Sequence, residues 1–111
     1  MGTILFDKEI GQKWIAALRS GQYKQGFGHL KNNDCYCALG VLGSVCGYEN
    51  YLVGTSLTPF VIHSGQRLYN YLTAIIQGNS FEAHIMWMND NDKKDFYSIA
   101  DWLNQNLMWD E

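Results

Sequence analysis

Hydrophobic residues in the first part of the chain recur at the spacing of an amphipathic helix. The residues of this stripe are Ile10, Trp14, Ala17 and Leu18. Asp7 precedes the stripe and is a favourable N-cap, because its carboxylate can accept a hydrogen bond from a free backbone N–H. Ser20-Gly21 follows the stripe, and glycine readily adopts the left-handed conformation that ends a helix. The pattern predicts a helix between Asp7 and Ser20.

Three further helices are predicted in the second half of the chain. Thr58-Pro59 has the form of a helix start, and Ser64-Gly65 has the form of its end. Ser80 is expected to cap a helix that runs to about Asn89, and Asp95 to cap the last helix. The apolar stripe of that last helix consists of Phe96, Ile99, Leu103 and Leu107. Residues 67–77 suit a helix by their leucine and isoleucine spacing and a strand by their tyrosine and threonine content.

The middle of the chain contains an apolar run, Cys35–Cys46, whose length favours a buried helix from Cys37 onwards. Each glycine inside a helix costs about 1 kcal/mol relative to alanine, so Gly40 and Gly43 imply close packing. Before this run, Gln22–Leu30 is expected to be extended, 31–34 to turn, and Cys35-Tyr36 to return as a hairpin strand. The segment 51–53 is predicted to be another short strand. We therefore expect a single α+β domain over residues 1–111, with four or five helices around a small antiparallel sheet or hairpin.

Composition and charge narrow the class of protein. The chain is 47% hydrophobic and 14% aromatic, which is enough to build a core. Its net charge of −3 argues against stable binding to nucleic acid through phosphate contacts. Three cysteines fit no disulfide framework, which favours a reducing compartment. We see neither a signal peptide nor a membrane span, so we expect a cytoplasmic protein with no membrane partner.

Several sequence blocks together resemble a family of small proteins of phages, prophages and their bacterial hosts. The blocks are Ala17–Gly26 with Leu30, Tyr36–Leu42, Met88–Asp90 and Phe96–Asp101. Thr58–Val61 is similar to a Leu-Pro-x-x-Val segment that such proteins carry. The chain has Ala38 where a second cysteine often follows Cys37, which disfavours chemistry that needs two adjacent thiols. The resemblance implies a fold unit and a phage setting, with the cytoplasm of the bacterial host as the location. It implies no activity and no catalytic residues.

The first candidate site is the loop that follows the first helix. A cation, backbone amides around glycine, amide side chains and an aromatic face suit an anionic ligand that carries a base or sugar. We interpret the ligand-binding residues as Arg19, Gln22, Tyr23, Lys24, Gln25, Tyr36, Asn89 and Asp90. The alternative is a helix C-terminus at which Arg19 favourably meets the dipole, followed by a solvated loop.

A second candidate is Cys37, at the N-terminus of the predicted buried helix. The helix dipole there would lower the pKa of the thiol and make it a nucleophile, provided that His29, His63 or His84 supplies a base. The alternative is a packed, inert thiol. Zinc binding by Cys35, Cys37 and Cys46 with a histidine is disfavoured, since the usual ligand spacing is absent.

Two further features have simple structural interpretations. Asp90–Asp92 superficially begins a calcium loop, but Lys94 would fall on a ligand position, so an interhelix turn is preferred. Trp14 and Trp102 are expected in the core, whereas Trp109 in the tail 107–111 could anchor a dimer or fray. We predict no metal and no cofactor.

These observations favour a binding protein over an enzyme. The specific hypothesis is a small phage-type accessory protein, possibly anti-defence, that sequesters a small anionic, nucleotide-derived host immune signal. The alternatives are a cysteine hydrolase that uses Cys37 and a protein–protein inhibitor of a host enzyme. A homo-oligomer is compatible with each of them.

Overall fold

The two ends of the chain are held together by a parallel pair of strands. In the computed structural model, which describes residues 2–59, 61 and 66–110, β1 (Ile4–Asp7) pairs with β7 (Leu107–Asp110). Phe6 of β1 lies opposite Trp109 of β7 and is fully buried. Parallel strands require a crossover connection, and here almost the whole chain forms it. The sequence patterns predicted neither strand, because neither pairs with a neighbour in sequence.

Five α-helices lie within the described part of the chain. They are α1 (Lys8–Arg19), α2 (Ala38–Val45), α3 (Gln66–Thr73), α4 (Phe81–Asp90) and α5 (Phe96–Asn106). The predicted caps are confirmed: the side chains of Asp7, Ser80 and Asp95 each accept a hydrogen bond from the backbone N–H three residues later. Gly21 after α1 has a φ of 76°, as its role at the helix end requires.

The structure settles the open assignment of residues 67–77 and corrects the one made for residues 51–53. Residues 67–77 contain both predicted forms, since α3 ends at Thr73 and β5 (Ile75–Ile76) follows it. The strand predicted at 51–53 is wrong: a 3-10 helix covers Glu49–Tyr51, and Leu52 is buried against Gly43 without strand pairing. The helix predicted from Thr58-Pro59 has its first residues in helical conformation, but its expected end at Ser64-Gly65 lies outside the described residues.

The small sheet after α1 is mixed and not purely antiparallel. It contains β2 (Lys24–Gln25), β3 (Lys31–Asn32) and β4 (Cys35–Tyr36). Cys35-Tyr36 is a hairpin strand as predicted, but its antiparallel partner β3 lies within the predicted turn 31–34. The segment that was predicted to be the partner contains β2, which runs parallel to β4. The loop between β2 and β3 reverses the chain before the hairpin begins, which gives β2 the direction of β4. A separate hairpin joins β5 to β6 (Asn79–Ser80).

Residues 107–110 of the predicted tail form β7 and pair with β1, so this segment does not fray. Trp109 is half-buried, and its indole occupies the space beside Gly11, where a Cβ would lie 2.3 Å from a ring carbon. Trp14 is fully buried as predicted and donates its indole N–H to the carbonyl oxygen of Ala38 at 2.9 Å. Trp102 is only half-buried, contrary to the core position predicted for it.

Helix α2 passes through the centre of the domain, and other segments pack so closely against it that Gly40 and Gly43 have no room for a Cβ. A Cβ on Gly40 would lie 1.8 Å from the carbonyl oxygen of Leu30. A Cβ on Gly43 would lie 2.6 Å from a methyl group of Leu52. Larger side chains at these positions would push α2 away from the β2–β3 loop and from the segment after the 3-10 helix.

Together these elements form one compact α+β domain, as predicted. The radius of gyration over Cα atoms is 12.5 Å, close to the value of about 13 Å expected for a domain of this length. None of the described helices combines the length and the apolar character that crossing a bilayer requires.

Replacing the two glycines of α2 by alanine should have unequal effects. Gly40→Ala places a methyl group against a backbone carbonyl that cannot rotate away, and we expect a loss of about 2–3 kcal/mol in unfolding free energy. Gly43→Ala places a methyl group against the ends of the Leu52 and Leu57 side chains, which can shift. The gain of about 1 kcal/mol in helix propensity offsets much of the cost of that contact. Urea denaturation measures both values. A Gly43→Ala variant less stable than Gly40→Ala would contradict the packing described for α2.

Candidate functional site

Asn89, one of the predicted ligand-binding residues, is a structural residue at the centre of a hydrogen-bond network. Its side chain is fully buried. Its Oδ1 accepts hydrogen bonds from Gln25 Nε2 at 2.9 Å and from the backbone N–H of Ala38 at 3.1 Å. Its Nδ2 donates to the carbonyl oxygen of Gly26 at 2.9 Å and to Asp90 Oδ1 at 2.8 Å. With two bonds to each end of the amide, Asn89 has no capacity left for a ligand.

Gln25 and Asp90 belong to the same network. Besides its bond to Asn89, Gln25 Nε2 donates to the carbonyl oxygen of Lys94 at 2.8 Å. Asp90 Oδ1 also accepts a hydrogen bond from the backbone N–H of Gly28 at 3.1 Å. Both side chains therefore fix loops to the end of α4, and the site predicted around them is a structural junction.

Arg19 does not join the other predicted residues in a binding site. Its guanidinium donates to Asp101 Oδ1 at 2.7 Å, and both side chains are exposed. An ion pair of this kind links α1 to α5 and neutralises the cation that was predicted to meet an anion. Gln22 and Lys24 are exposed and line none of the four cavities described for this domain.

The two predicted tyrosines do come together, in a cluster centred on a carboxylate. The rings of Tyr23 and Tyr36 meet edge to face, with centroids 5.0 Å apart. The Tyr36 hydroxyl donates to Glu49 Oε2 at 2.7 Å, and Lys31 Nζ donates to the same oxygen at 2.6 Å. Ser44 Oγ donates to Glu49 Oε1 at 2.8 Å and lies 2.9 Å from the Tyr23 hydroxyl. We call these five residues the Glu49 cluster.

The hydrogen bonds of the Glu49 cluster stabilise the ionised form of the Glu49 carboxylate. Burial alone would raise the pKa of Glu49, but the donors Lys31, Tyr36 and Ser44 lower it below its ordinary value. Burial and the neighbouring carboxylate raise the pKa of Tyr36. At neutral pH the carboxylate is ionised and every oxygen of it is hydrogen-bonded, so the cluster joins the small sheet to α2 and the 3-10 helix.

Cys37 is a buried thiol without the activation predicted for it. It is the N-cap of α2, and its Sγ accepts a hydrogen bond from the backbone N–H of Gly40 at 3.4 Å. Desolvation nevertheless outweighs the backbone hydrogen bonds and raises the pKa of Cys37 to about 11. The predicted lowering of the pKa is therefore wrong, because the start of α2 is covered by the rest of the domain.

The described histidines provide no general base for Cys37. His84 stacks on Trp102, with ring centroids 4.9 Å apart, and His29 is exposed. Neither is hydrogen-bonded to the thiol, and His63 lies outside the described residues. Nor do the described His, Cys, Asp and Glu side chains form a group of three that could hold a metal ion.

Two of the cavities lie around Arg67, a residue that the sequence analysis did not select. Arg67 Nε donates to the Tyr71 hydroxyl at 2.8 Å, and Nη2 donates to the carbonyl oxygen of Asp110 at 3.0 Å. The Tyr71 hydroxyl in turn donates to the carboxylate of Asp110. Arg67 Nη1 lies 3.6 Å from Asp7 Oδ2. The guanidinium is thus held by α3 and β7 while its side chain stays 57% exposed.

Two cavities of about 350 Å³ and 340 Å³ share Arg67 and Asp7 in their walls. The first is also lined by Lys8, Glu9 and Gln12 of α1 and by Asp110 of β7, so it contains three carboxylates beside its two basic residues. The second is more apolar and reaches α2 and the segment after it. Its other lining residues include Ile10, Lys13, Val45, Cys46, Tyr48 and Leu68. We call the two cavities with Arg67 between them the Arg67 cleft.

The spacing of Arg67 and Tyr71 could have been recognised in the sequence, but the contact with Asp110 could not. Arg67 and Tyr71 are four residues apart, which places them side by side on a helix, but the assignment of residues 67–77 stayed open between helix and strand. Asp110 completes the site from 43 residues away through β7. That pairing has no local signature, so the cleft could not be assembled from the sequence.

One family model matches the first part of the chain. A family model described as a domain of unknown function (DUF8296) matches residues 6–56. The match covers α1, the small sheet, α2 and the 3-10 helix, including every member of the Glu49 cluster. Asn89 and Arg67 lie beyond it. No curated protein sequence and no solved structure matches the chain significantly.

The three cysteines should differ in reactivity according to their burial. Iodoacetamide at pH 8 should alkylate Cys37 in the native protein at least about 100-fold more slowly than in the denatured chain, because a pKa of about 11 leaves little thiolate. The half-buried Cys35 serves as the internal control. Peptide mass spectrometry over time measures each site. Labelling of Cys37 ahead of Cys35 in the native protein would restore the nucleophile hypothesis.

Proposed function

We propose that the protein binds and sequesters a small anionic, nucleotide-derived ligand, and that the Arg67 cleft is the binding site. The observation that supports this is a half-exposed guanidinium held in one orientation between two cavities. Arginine is the side chain best suited to a phosphate or carboxylate, because its planar fork can donate two parallel hydrogen bonds. The proposal keeps the ligand class predicted from the sequence and replaces Arg19 by Arg67 as the anion-binding cation.

Arg67 is already held in one orientation, so binding an anion would cost little side-chain conformational entropy. Two of its five N–H donors are used by the Tyr71 hydroxyl and the Asp110 carbonyl. The guanidinium also has two carboxylate neighbours, Asp7 at 3.6 Å and Asp110 at 3.5 Å, and both contacts are longer than the 2.7 Å hydrogen bond that joins Arg19 to Asp101. An anion bound to Arg67 would compete with these two carboxylates. A side chain that is already fixed loses little conformational entropy when a ligand binds.

The surroundings of Arg67 offer partners for the other parts of a nucleotide. Lys13 lies on the wall of the more apolar cavity, and its ammonium forms an exposed ion pair with Glu9 at 3.2 Å, a kind of contact that a ligand can displace at little cost. Tyr48 and Leu68 line the same cavity and present apolar surface to a base or sugar ring. The Asp7 carboxylate is an acceptor for ribose hydroxyls or base N–H groups. Each cavity lies at the lower end of the volume range usual for small-molecule pockets.

Potential nucleophiles at the cleft are protonated at neutral pH, which favours binding without turnover. Burial, and then the neighbouring Asp110, raise the pKa of Tyr71. Burial raises the pKa of Cys46, on the wall of the second cavity, to about 11. A protein that captures a ligand and leaves it unchanged suits the proposed role as a phage accessory protein acting against a host nucleotide signal. The family resemblance supports that setting.

Isothermal titration calorimetry against linear and cyclic nucleotides tests the proposal. We expect at least one of them to bind at a single site per chain. Arg67→Gln should weaken that binding at least about tenfold, since a hydrogen bond to a charged group contributes about 1.5–3 kcal/mol. Arg67→Lys should retain part of the affinity, because it keeps the charge and loses the fork.

Arg19→Gln is the matched control, because it removes the same charge from an exposed, ion-paired arginine outside the cleft. It should leave the affinity unchanged. The proposal is refuted if no nucleotide binds, or if Arg19→Gln and Arg67→Gln weaken binding equally. Equal weakening would mean that the affinity reflects net charge alone.

A further inference from the structure

A second concave region lies between the β5–β6 hairpin, α4 and α5. It consists of two cavities of about 350 Å³ and 340 Å³ that share Gln77 and His84 in their walls. Trp102 and Asn106 of α5 line the first, and Asn79 and Trp87 line the second. We call this region, defined by these six residues, the His84 groove. No residue of the Arg67 cleft lines it.

The hairpin presents two amide side chains at this groove in a defined position. Ile75 pairs with Ser80 and Ile76 with Asn79, so Gln77 and Gly78 form a two-residue turn. Both turn residues have positive φ, 49° and 88°, as the tight hairpin turns that match strand twist require. Gln77 therefore occupies the left-handed region that glycine or asparagine takes more easily. Gln77 lines both cavities and places its amide at the groove.

Aromatic rings form the other side of the groove. His84 and Trp102 stack with an interplanar angle of 31° and a centroid distance of 4.9 Å. Trp87 follows His84 by one helical turn on α4 and is 52% exposed. A large indole surface left in water is a common feature of surfaces that bind a partner or ligand.

The polar chemistry of the groove differs from that of the Arg67 cleft. The residues that line its two cavities carry amides, an imidazole, indoles, the Thr3 hydroxyl and aliphatic groups, but no Asp, Glu, Lys or Arg. Each amide provides both a donor and an acceptor. A ligand that fits this set has paired hydroxyl groups and a flat apolar face, and it carries no charge that would need a counter-ion.

We propose that the His84 groove binds a neutral saccharide. The C–H face of a pyranose ring would stack on Trp87, and its vicinal hydroxyls would exchange hydrogen bonds with Gln77 and Asn79. The first cavity, beside His84 and Trp102, would take a neighbouring unit or substituent, with Asn106 at its rim. Asn106 already donates to the carbonyl oxygen of Trp102 at 2.8 Å, which leaves its amide oxygen as an acceptor.

Titration of the 15N-labelled full chain with maltose, cellobiose and chitobiose, followed by NMR, tests this proposal. At least one disaccharide should shift the indole N–H signals of Trp87 and Trp102 and the side-chain amide signals of Gln77 and Asn79 to saturation. Trp87→Ala should weaken the binding at least about tenfold, because the exposed ring provides the stacking surface. Asn79→Ala should weaken it as well.

Tyr97→Ala is the matched control, since Tyr97 is a similarly exposed aromatic residue, at 57%, on a helix, and lines neither cavity. It should bind the disaccharide as the unaltered chain does. The proposal is overturned if none of the three sugars gives saturable shifts, if the shifts lie outside the groove, or if Trp87→Ala binds normally. None of these outcomes bears on the Arg67 cleft, which is tested with nucleotides and other variants.

Discussion

The hydrogen bonds of one buried amide fix the relative positions of the segments that build this domain. Asn89 lies near the end of α4. Its amide bonds to the Gln25 side chain of β2, to the carbonyl oxygen of Gly26 just after β2, and to the backbone N–H of Ala38 at the start of α2. A buried polar group that loses its partner costs about 1–3 kcal/mol, so these bonds are stable only as a set. Loss of any one of these bonds is therefore expected to weaken the positioning of all three segments: the end of α4, β2 with Gly26, and the start of α2.

The packing of α2 follows from this constraint. With the N-terminus of α2 tied to Asn89, the helix passes close enough to the β2–β3 loop that Gly40 meets the carbonyl oxygen of Leu30 directly. Trp14 of α1 then reaches the carbonyl oxygen of Ala38 with its indole N–H. The thiol of Cys37 is enclosed by the same arrangement, which is why its pKa rises where a helix N-terminus alone would lower it.

Local features of the fold could be predicted from the sequence, and long-range features could not. The helix starts at Asp7, Ser80 and Asp95 depend on an N–H three residues away, so short patterns were sufficient. The β1–β7 pair joins the two ends of the chain, and no local pattern signals a parallel partner about a hundred residues distant.

The same distinction separates the predicted site from the cleft. Gln25 and Asn89, which the candidate site grouped together, do meet, but the sequence could not show that their polar atoms satisfy each other and the backbone N–H of Ala38. Arg19 was selected as a free cation, and its partner Asp101 lies 82 residues away in sequence. Polar residues that a sequence offers as ligand-binding candidates often form hydrogen bonds within the folded protein. Arg67 became a candidate only in the structure, where β7 places Asp110 beside it.

The dependence of the fold on Asn89 is tested most directly by urea denaturation of Asn89→Asp at neutral pH. The substitution keeps the shape of the side chain and replaces the Nδ2 donor by a charged oxygen that faces the carbonyl oxygen of Gly26 and the Asp90 carboxylate. We expect a loss of about 3–5 kcal/mol, the range for an uncompensated buried charge. The exposed Asn104 of α5 supplies the control, Asn104→Asp, which should cost less than about 1 kcal/mol. Equal stabilities for the two variants would contradict the central place of Asn89.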